Sequence, residues 1–243
     1  MEKLIAIVQN LLNITYLAEA LPFFLCLIFY KKIISRELKV FFIYTISFVL
    51  FLSLRLFFRY YLDSPLVQLF IVRISIIVEF IFLSLFYFYN LKYKRKKIFL
   101  ISSLSIFIVY SFYDYYTYPT EFSYIPLVIQ CLFFLLVIPY YFYEQMQFSI
   151  ASPIYQLPSF WISVAFLIYF SGNFFLFLYS KTMFKDTESK IQYNMIYCCF
   201  TIIKDMLLCT AIFINNHKDK EALHSNIPIS FDLDSFKPIK NNY

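Results

Sequence analysis

The chain has 243 residues, of which 61% are hydrophobic and 23% aromatic, and its formal net charge is +6. Its mean hydropathy of +0.69 lies outside the range of soluble domains, because the polar residues are too few to cover a core of this size. The composition therefore excludes a soluble globular protein and predicts an all-α, polytopic membrane protein with a single membrane domain.

Long apolar runs divide the chain into segments of about twenty residues or more, which is the length of a membrane-spanning helix. Residues 1–216 are predicted to form the membrane domain, and 217–243 a polar, disordered tail. Ala18-Glu19-Ala20 resembles a signal-peptide cleavage site, but cleavage there would leave a remnant too short to span, so we expect helix one to be retained. The predicted transmembrane helices lie near residues 8–30, 38–62, 65–91, 97–116, 122–144, 158–180 and 191–215.

Basic residues are concentrated in alternate connections between these helices. The first connection, the third connection and the tail are rich in Lys and Arg, whereas the connection between helices four and five has none. Because basic loops stay in the cytoplasm, this pattern predicts an N-terminus outside and a cytoplasmic C-terminus. The positive net charge is then explained by the orientation of the helices in the membrane. We therefore expect no nucleic-acid partner.

Gly172 is the only glycine in the chain, which excludes the P-loop, the dinucleotide-binding fingerprint and the nucleophile elbow. We expect Gly172 to permit a close helix contact or a bend, and Asn173 to form a hydrogen bond across the bundle. The two histidines, His217 and His224, lie in the tail, and the cysteines have no CxxC spacing. We therefore predict no catalytic residue, no cofactor and no metal site.

Ionisable residues inside the predicted spans are the most informative feature, since charges at that depth are costly unless they are paired or hydrated. Helices one, two, three and seven all carry them, and helix seven adds a polar stripe at spacings of three and four. We predict a polar cavity open to the outside among these four helices. Its candidate ligand-binding residues are Glu19, Arg55, Arg73, Glu79, Asn194, Tyr197, Thr201, Lys204 and Asp205.

The same charges have a purely structural interpretation. Glu19 or Asp205 paired with Arg55, and Glu79 paired with Lys204, would hold the helices together without binding a ligand. A lysine midway along the seventh helix also suggests a retinal Schiff base. Microbial rhodopsins, however, have an Asp four residues before that lysine, where this chain has Phe200, so we do not expect retinal.

The last two helices resemble a known group of proteins. The run Phe160-Trp161, then 169–175 (YFSGNFF), then Ile202-Ile203-Lys204-Asp205 is similar to uncharacterised seven-helix proteins of Bacteroidetes-type bacteria, whose helices resemble the membrane sensor region of histidine kinases. The resemblance implies a sensory or accessory role and no particular ligand. Residue usage rich in Ile, Phe, Tyr and Lys also fits such a bacterium, which predicts the plasma (inner) membrane.

Three functions remain open at this point. The first is a sensor or receptor-like protein whose polar cavity binds an unknown small ligand. Residues 217–243 are too short for a kinase output domain, so we expect a cytoplasmic or membrane signalling partner besides the lipid bilayer. The second is a small-molecule or ion transporter with a site at the membrane midplane. The third is an intramembrane enzyme, although the sequence shows no evident nucleophile and no evident set of metal ligands. The oligomeric state is not indicated.

Overall fold

Seven helices, each long and apolar enough to cross a membrane, account for most of the structure. The structure is a computed structural model that describes residues 2–33, 35–62, 64–148, 153–183 and 187–225, and within these ranges it has no β-strand. The prediction of an all-helical, seven-helix membrane protein is confirmed. The helices are α1 (Glu2–Ile28), α2 (Arg36–Phe57), α3 (Pro65–Asn90), α4 (Lys94–Thr117), α5 (Ile125–Phe148), α6 (Pro158–Met183) and α7 (Thr187–Ser225).

The observed helix ends differ from the predicted ones mainly at the two termini. α1 already begins at Glu2, and α7 continues to Ser225, past the predicted end of the membrane domain at residue 216. A π-helical turn, Phe58–Leu62, prolongs α2. The remainder of the predicted tail, 226–243, lies outside the described residues. Which end of the bundle faces the cytoplasm stays a prediction from the basic connections.

Six of the helices form a closed ring. Around it, α1 packs on α2, α2 on α3, α3 on α5, α5 on α6, α6 on α7, and α7 on α1. α4 lies outside this ring against α3 and α5. The ring encloses an interior in which polar side chains of its six helices can meet away from lipid.

The contact between α6 and α7 depends on the absence of a side chain at Gly172. A Cβ atom built on Gly172 would lie 2.4 Å from ring carbons of Phe200 on α7, far inside van der Waals contact. The predicted close helix contact is therefore confirmed. The predicted hydrogen bond of Asn173 across the bundle is wrong, because its Nδ2 donates to the Tyr169 carbonyl of its own helix, 2.9 Å away.

A chain of ring contacts crosses the bundle near its middle. It runs from Tyr44 to Phe166 (5.7 Å between ring centroids), to Phe170 (5.9 Å), to Phe134 (5.3 Å) and to Phe80 (5.1 Å). These five residues, called the aromatic layer below, come from α2, α6, α5 and α3 and are all buried. The layer marks the boundary between two halves of the bundle.

In the half that holds the C-terminal ends of α3, α5 and α7, hydrogen bonds join neighbouring helices. The Tyr87 hydroxyl donates to Ser163 Oγ (3.2 Å), and the Tyr141 hydroxyl donates to Ser159 Oγ (3.0 Å). Glu144, which is 1% exposed, accepts backbone N–H groups of the connection before α4, from Lys92 at 2.6 Å. This carboxylate therefore fastens α5 to the start of α4 at the helix N-terminus, where negative charge is favourable.

Candidate functional site

The other half of the bundle, which holds the N-terminal end of α1, contains a polar cavity of about 350 Å³. This volume falls within the range of small-molecule sites, which is roughly 300–1,000 Å³. The cavity lies between α1, α2, α3, α6 and α7, and its wall also includes Leu127 at the start of α5 and Phe122 and Tyr124 of the α4–α5 connection. The aromatic layer lies beneath it, since Phe48 and Tyr169 of the cavity wall are one turn from layer residues.

Five of the nine predicted site residues line this cavity, and they come from four helices. These residues are Glu19 of α1, Arg55 of α2, Glu79 of α3, and Asn194 and Tyr197 of α7. Their convergence has a simple physical cause: polar groups inside a membrane protein avoid lipid by facing the bundle interior. That they bind a ligand stays a prediction.

Glu19 is the most deeply buried carboxylate of the cavity wall, with 5% of its surface exposed. Its Oε2 atom has no hydrogen-bond partner among the described residues. Glu19 is attracted electrostatically by Lys204 and Arg55 and repelled by Asp205 and Glu79. A buried carboxylate with a free oxygen is costly in a membrane interior, so this position favours an additional positive partner.

Both carboxylate oxygens of Glu79 accept hydrogen bonds from neutral side chains. Its Oε1 accepts the Tyr44 hydroxyl at 3.3 Å, and its Oε2 accepts the Gln130 side-chain amide at 2.9 Å. Gln130 is itself 1% exposed. The predicted pairing of Glu79 with Lys204 is thus replaced by two hydrogen bonds, while Lys204 acts on Glu79 only through longer-range attraction.

Lys204 and Asp205 lie just beyond the cavity, along α7 from Tyr197. The Lys204 ammonium is 3.3 Å from Asp205 Oδ1, and both side chains are nearly inaccessible. The ammonium also lies 4.9 Å from the ring centroids of both Phe48 and Tyr169, a cation–π arrangement. The structural interpretation left either Glu19 or Asp205 as the partner of Arg55, and in the structure Asp205 pairs with its own chain neighbour instead.

Thr201, the remaining member of the helix-seven stripe, does not line the cavity. It is 1% exposed, and its hydroxyl donates to the Tyr197 carbonyl one turn earlier, at 2.9 Å. A threonine that satisfies its own hydroxyl within the helix needs no partner from another helix. Thr201 is therefore a packing residue beneath Tyr197 rather than a wall residue.

The two arginines of α2 both lie near Tyr16 of α1. The Arg55 guanidinium carbon is 5.8 Å from the centroid of the Tyr16 ring, and Arg59 Nη1 donates to the Tyr16 hydroxyl at 3.4 Å. Arg55 is half-buried in the cavity wall, whereas Arg59 is exposed. The pairing of Arg55 with a carboxylate, expected from the sequence, is replaced by contact with an aromatic ring.

Arg73 does not belong to the cavity, contrary to the sequence prediction. Its guanidinium donates to the backbone carbonyls of Tyr118 and Glu121 in the α4–α5 connection. It also lies 5.2 Å from the Tyr115 ring and lines a smaller cavity, of about 70 Å³, together with buried Asp114. Arg73 sits a third of a turn from the Ser75–Glu79 face, which turns it toward α4 instead of the ring interior.

Several residues of the cavity wall were not predicted from the sequence, because they carry no charge. Tyr169 and Phe177 of α6 and Tyr193 of α7 also line the cavity. Gln130, the buried amide that holds Glu79, also went unnoticed. The only signal for Gln130 was a lone amide within an otherwise apolar span.

Within the described part of the chain, no three His, Cys, Asp or Glu side chains are grouped closely enough to hold a metal ion. The structure describes the backbone of His217 and His224 within α7 but not their side chains. Four of the cysteines are buried and Cys199 is exposed, and all are free thiols.

Comparisons with known proteins identify no relative of this chain. No family model, no curated protein and no solved structure matches it. The resemblance of helices six and seven to histidine-kinase sensor regions therefore stays a prediction.

Proposed function

We propose that this protein is a membrane sensor that binds a small polar ligand in the cavity between α1, α2, α3, α6 and α7. One observation carries the proposal: charged side chains of three helices, Glu19, Arg55 and Glu79, converge on a single cavity large enough for a small molecule. Purely structural charges would be expected to pair with one another directly, yet Glu79 accepts hydrogen bonds from a hydroxyl and an amide, Arg55 lies over a ring, and Glu19 Oε2 has no partner among the described residues.

The aromatic layer favours a sensor over a transporter. A run of buried rings from α2, α3, α5 and α6 lies beneath the cavity, between it and the other half of the bundle. Transport would require this layer to separate in a second conformation. A sensor needs only a small movement of a helix that reaches both sides.

α7 is the helix suited to transmit such a movement. It carries Asn194 and Tyr197 in the cavity wall and the buried Lys204–Asp205 pair just below, and it continues as one helix to Ser225. A ligand that displaces Tyr197 therefore acts on the same rigid element that leaves the membrane on the opposite side. With the predicted orientation, that end is cytoplasmic and available to a signalling partner.

The proposal is tested by a thermal-unfolding screen of the purified protein in detergent against a panel of small polar metabolites. At least one compound should raise the midpoint in a saturable manner, because a ligand that binds only the folded state stabilises it. The effect should disappear in Ser75→Trp, whose indole fills the cavity, and persist in Ser105→Trp, at an exposed position on α4. Stabilisation that survives Ser75→Trp would contradict a site in this cavity.

Reconstitution then separates sensing from transport. Proteoliposomes that bind the identified compound should not accumulate it beyond the amount expected for stoichiometric binding. Uptake that greatly exceeds this amount, and that is lost in Ser75→Trp, would replace the sensor proposal by a transporter.

A further inference from the structure

We infer that the ligand of the cavity carries an ammonium group, and that Glu19 is the residue that binds it. This inference rests on the proposed function, since it names the chemical class of the ligand for the same cavity. It follows from three independent features: a free carboxylate oxygen, the balance of charge around the cavity, and the aromatic character of its walls.

The first feature is the hydrogen bonding of the two wall carboxylates. Both oxygens of Glu79 accept hydrogen bonds from described side chains, whereas Glu19 Oε2 accepts none. Glu19 is 95% buried by surface area, so bulk water does not compensate for the missing partner. Of the two carboxylates in the wall, Glu19 is therefore the one that has an acceptor oxygen without a partner among the described residues.

The second feature is the charge balance of the cavity and its floor. The carboxylates Glu19, Glu79 and Asp205 face the cations Arg55 and Lys204, which leaves one negative charge in excess when all five are ionised. Lys204 already forms an ion pair with Asp205, at a distance of 3.3 Å. Since uncompensated charge is costly at this depth, a ligand with a net positive charge would complete the set.

The third feature is the way the cavity floor already holds an ammonium group. Lys204 Nζ lies 4.9 Å from the centroids of Phe48 and Tyr169, both of which also line the cavity. Tyr16 and Tyr197 continue this aromatic surface toward Glu19. Ring faces attract cations while repelling anions, so the walls discriminate in favour of an ammonium group over a carboxylate.

The experiment uses four probes that share a phenylethyl group and carry different polar groups: 2-phenylethylammonium, 2-phenylethanol, 3-phenylpropionate and zwitterionic phenylalanine. Each is titrated into the purified full-length protein, and the unfolding midpoint is followed. We expect saturable stabilisation by 2-phenylethylammonium alone, with phenylalanine weaker because its carboxylate approaches Glu79. In Glu19→Gln the apparent affinity should fall about tenfold or more, as expected for loss of a charged hydrogen bond.

Glu121→Gln provides the matched control, since Glu121 is exposed in the α4–α5 connection and outside the cavity. It should bind 2-phenylethylammonium as the parent protein does. If Glu19→Gln does not fold, Ser75→Trp serves instead, because it fills the cavity while keeping Glu19, and it should also abolish binding.

The outcomes distinguish the inference from the proposed function. Equal stabilisation by 2-phenylethanol, tighter binding of phenylalanine, or an unchanged affinity in Glu19→Gln would overturn the ammonium inference. Binding of 3-phenylpropionate that depends on Arg55 would also overturn it, while leaving the cavity as a ligand site. If 2-phenylethylammonium has no effect, the inference fails, and the metabolite screen above decides separately whether the cavity binds any ligand.

Discussion

Lys204 forms its ion pair with Asp205, the next residue in the chain, at a distance of 3.3 Å. Consecutive residues of a helix point about 100° apart, so such neighbours ordinarily do not face each other. Here the long lysine side chain curves toward the short carboxylate, and both are buried. The pair lets α7 carry two charges through the bundle without a direct salt bridge to another helix.

Removal of one member of this pair should be far more harmful than removal of both. Lys204→Met leaves Asp205 buried and unpaired, which should lower the free energy of unfolding by about 3–5 kcal/mol. The double variant Lys204→Met with Asp205→Leu should recover much of that loss. Unfolding in dodecyl sulfate followed by circular dichroism measures both, with Lys190→Met at an exposed site of α7 as the control. Equal losses in the single and double variants would contradict the pairing.

Substitution of the single glycine should loosen the α6–α7 interface. In Gly172→Ala the new methyl group meets the Phe200 ring at 2.4 Å, and the repacking should cost about 1–3 kcal/mol. This outweighs the gain in helix propensity, which is about 1 kcal/mol. Ser171→Ala, at the exposed neighbouring position, should be close to neutral. Unfolding midpoints of the two variants, and of Gly172→Ala combined with Phe200→Ala, test this account. The double variant should regain part of the stability that Gly172→Ala loses.

Arg73 should control the order of the α4–α5 connection and leave the ligand cavity intact. In Arg73→Met the carbonyls of Tyr118 and Glu121 lose their donor, so amide hydrogen exchange over 118–124 should accelerate by about tenfold or more. Arg59→Met, whose arginine contacts Tyr16 instead, should leave that exchange unchanged. Mass spectrometry of peptic fragments makes the measurement. Equal exchange in both variants would show that Arg73 does not hold the connection.

The predicted orientation places Glu121 outside the cell and Lys94 in the cytoplasm. Glu121→Cys should therefore react with a membrane-impermeant maleimide in intact cells, and Lys94→Cys should react only after the cells are permeabilised. The parent chain, with four buried cysteines and Cys199 on the helix surface, gives the background. The reverse labelling pattern would invert the bundle and move the cavity to the cytoplasmic side.

The helices and the main cavity residues were predictable because both depend on one physical rule, the cost of polar groups in lipid. That rule sets the length of each apolar span and turns Glu19, Arg55 and Glu79 toward a shared interior. It does not determine which charges pair. The Lys204–Asp205 contact depends on side-chain rotamers within one helix, and Arg73 departs from its neighbours through a rotation of only a third of a turn.

The same rule does not predict the contacts of neutral residues or of residues near helix ends. Tyr44 and Gln130 carry no charge, so nothing in the spacing of the sequence linked them to Glu79. Glu144 fell at the predicted end of helix five, where a carboxylate is expected to be hydrated. In the structure the helix extends to Phe148, and the carboxylate is instead buried against the backbone before α4.

The aromatic layer also determines where the membrane voltage acts. Where the cavity is filled with water or bound ions, its polar contents conduct the potential of the adjacent solution into the bundle, so little voltage drops across that half. Most of the drop then falls across the other half of the bundle, beyond the buried rings of Tyr44, Phe134 and Phe170. A cation that reaches Glu19 crosses only a small part of the field, worth much less than the roughly 2.3 kcal/mol per charge of a full 100 mV step. Occupancy of the site should therefore respond weakly to membrane potential, whereas any displacement of Lys204 through the layer would be strongly voltage-dependent.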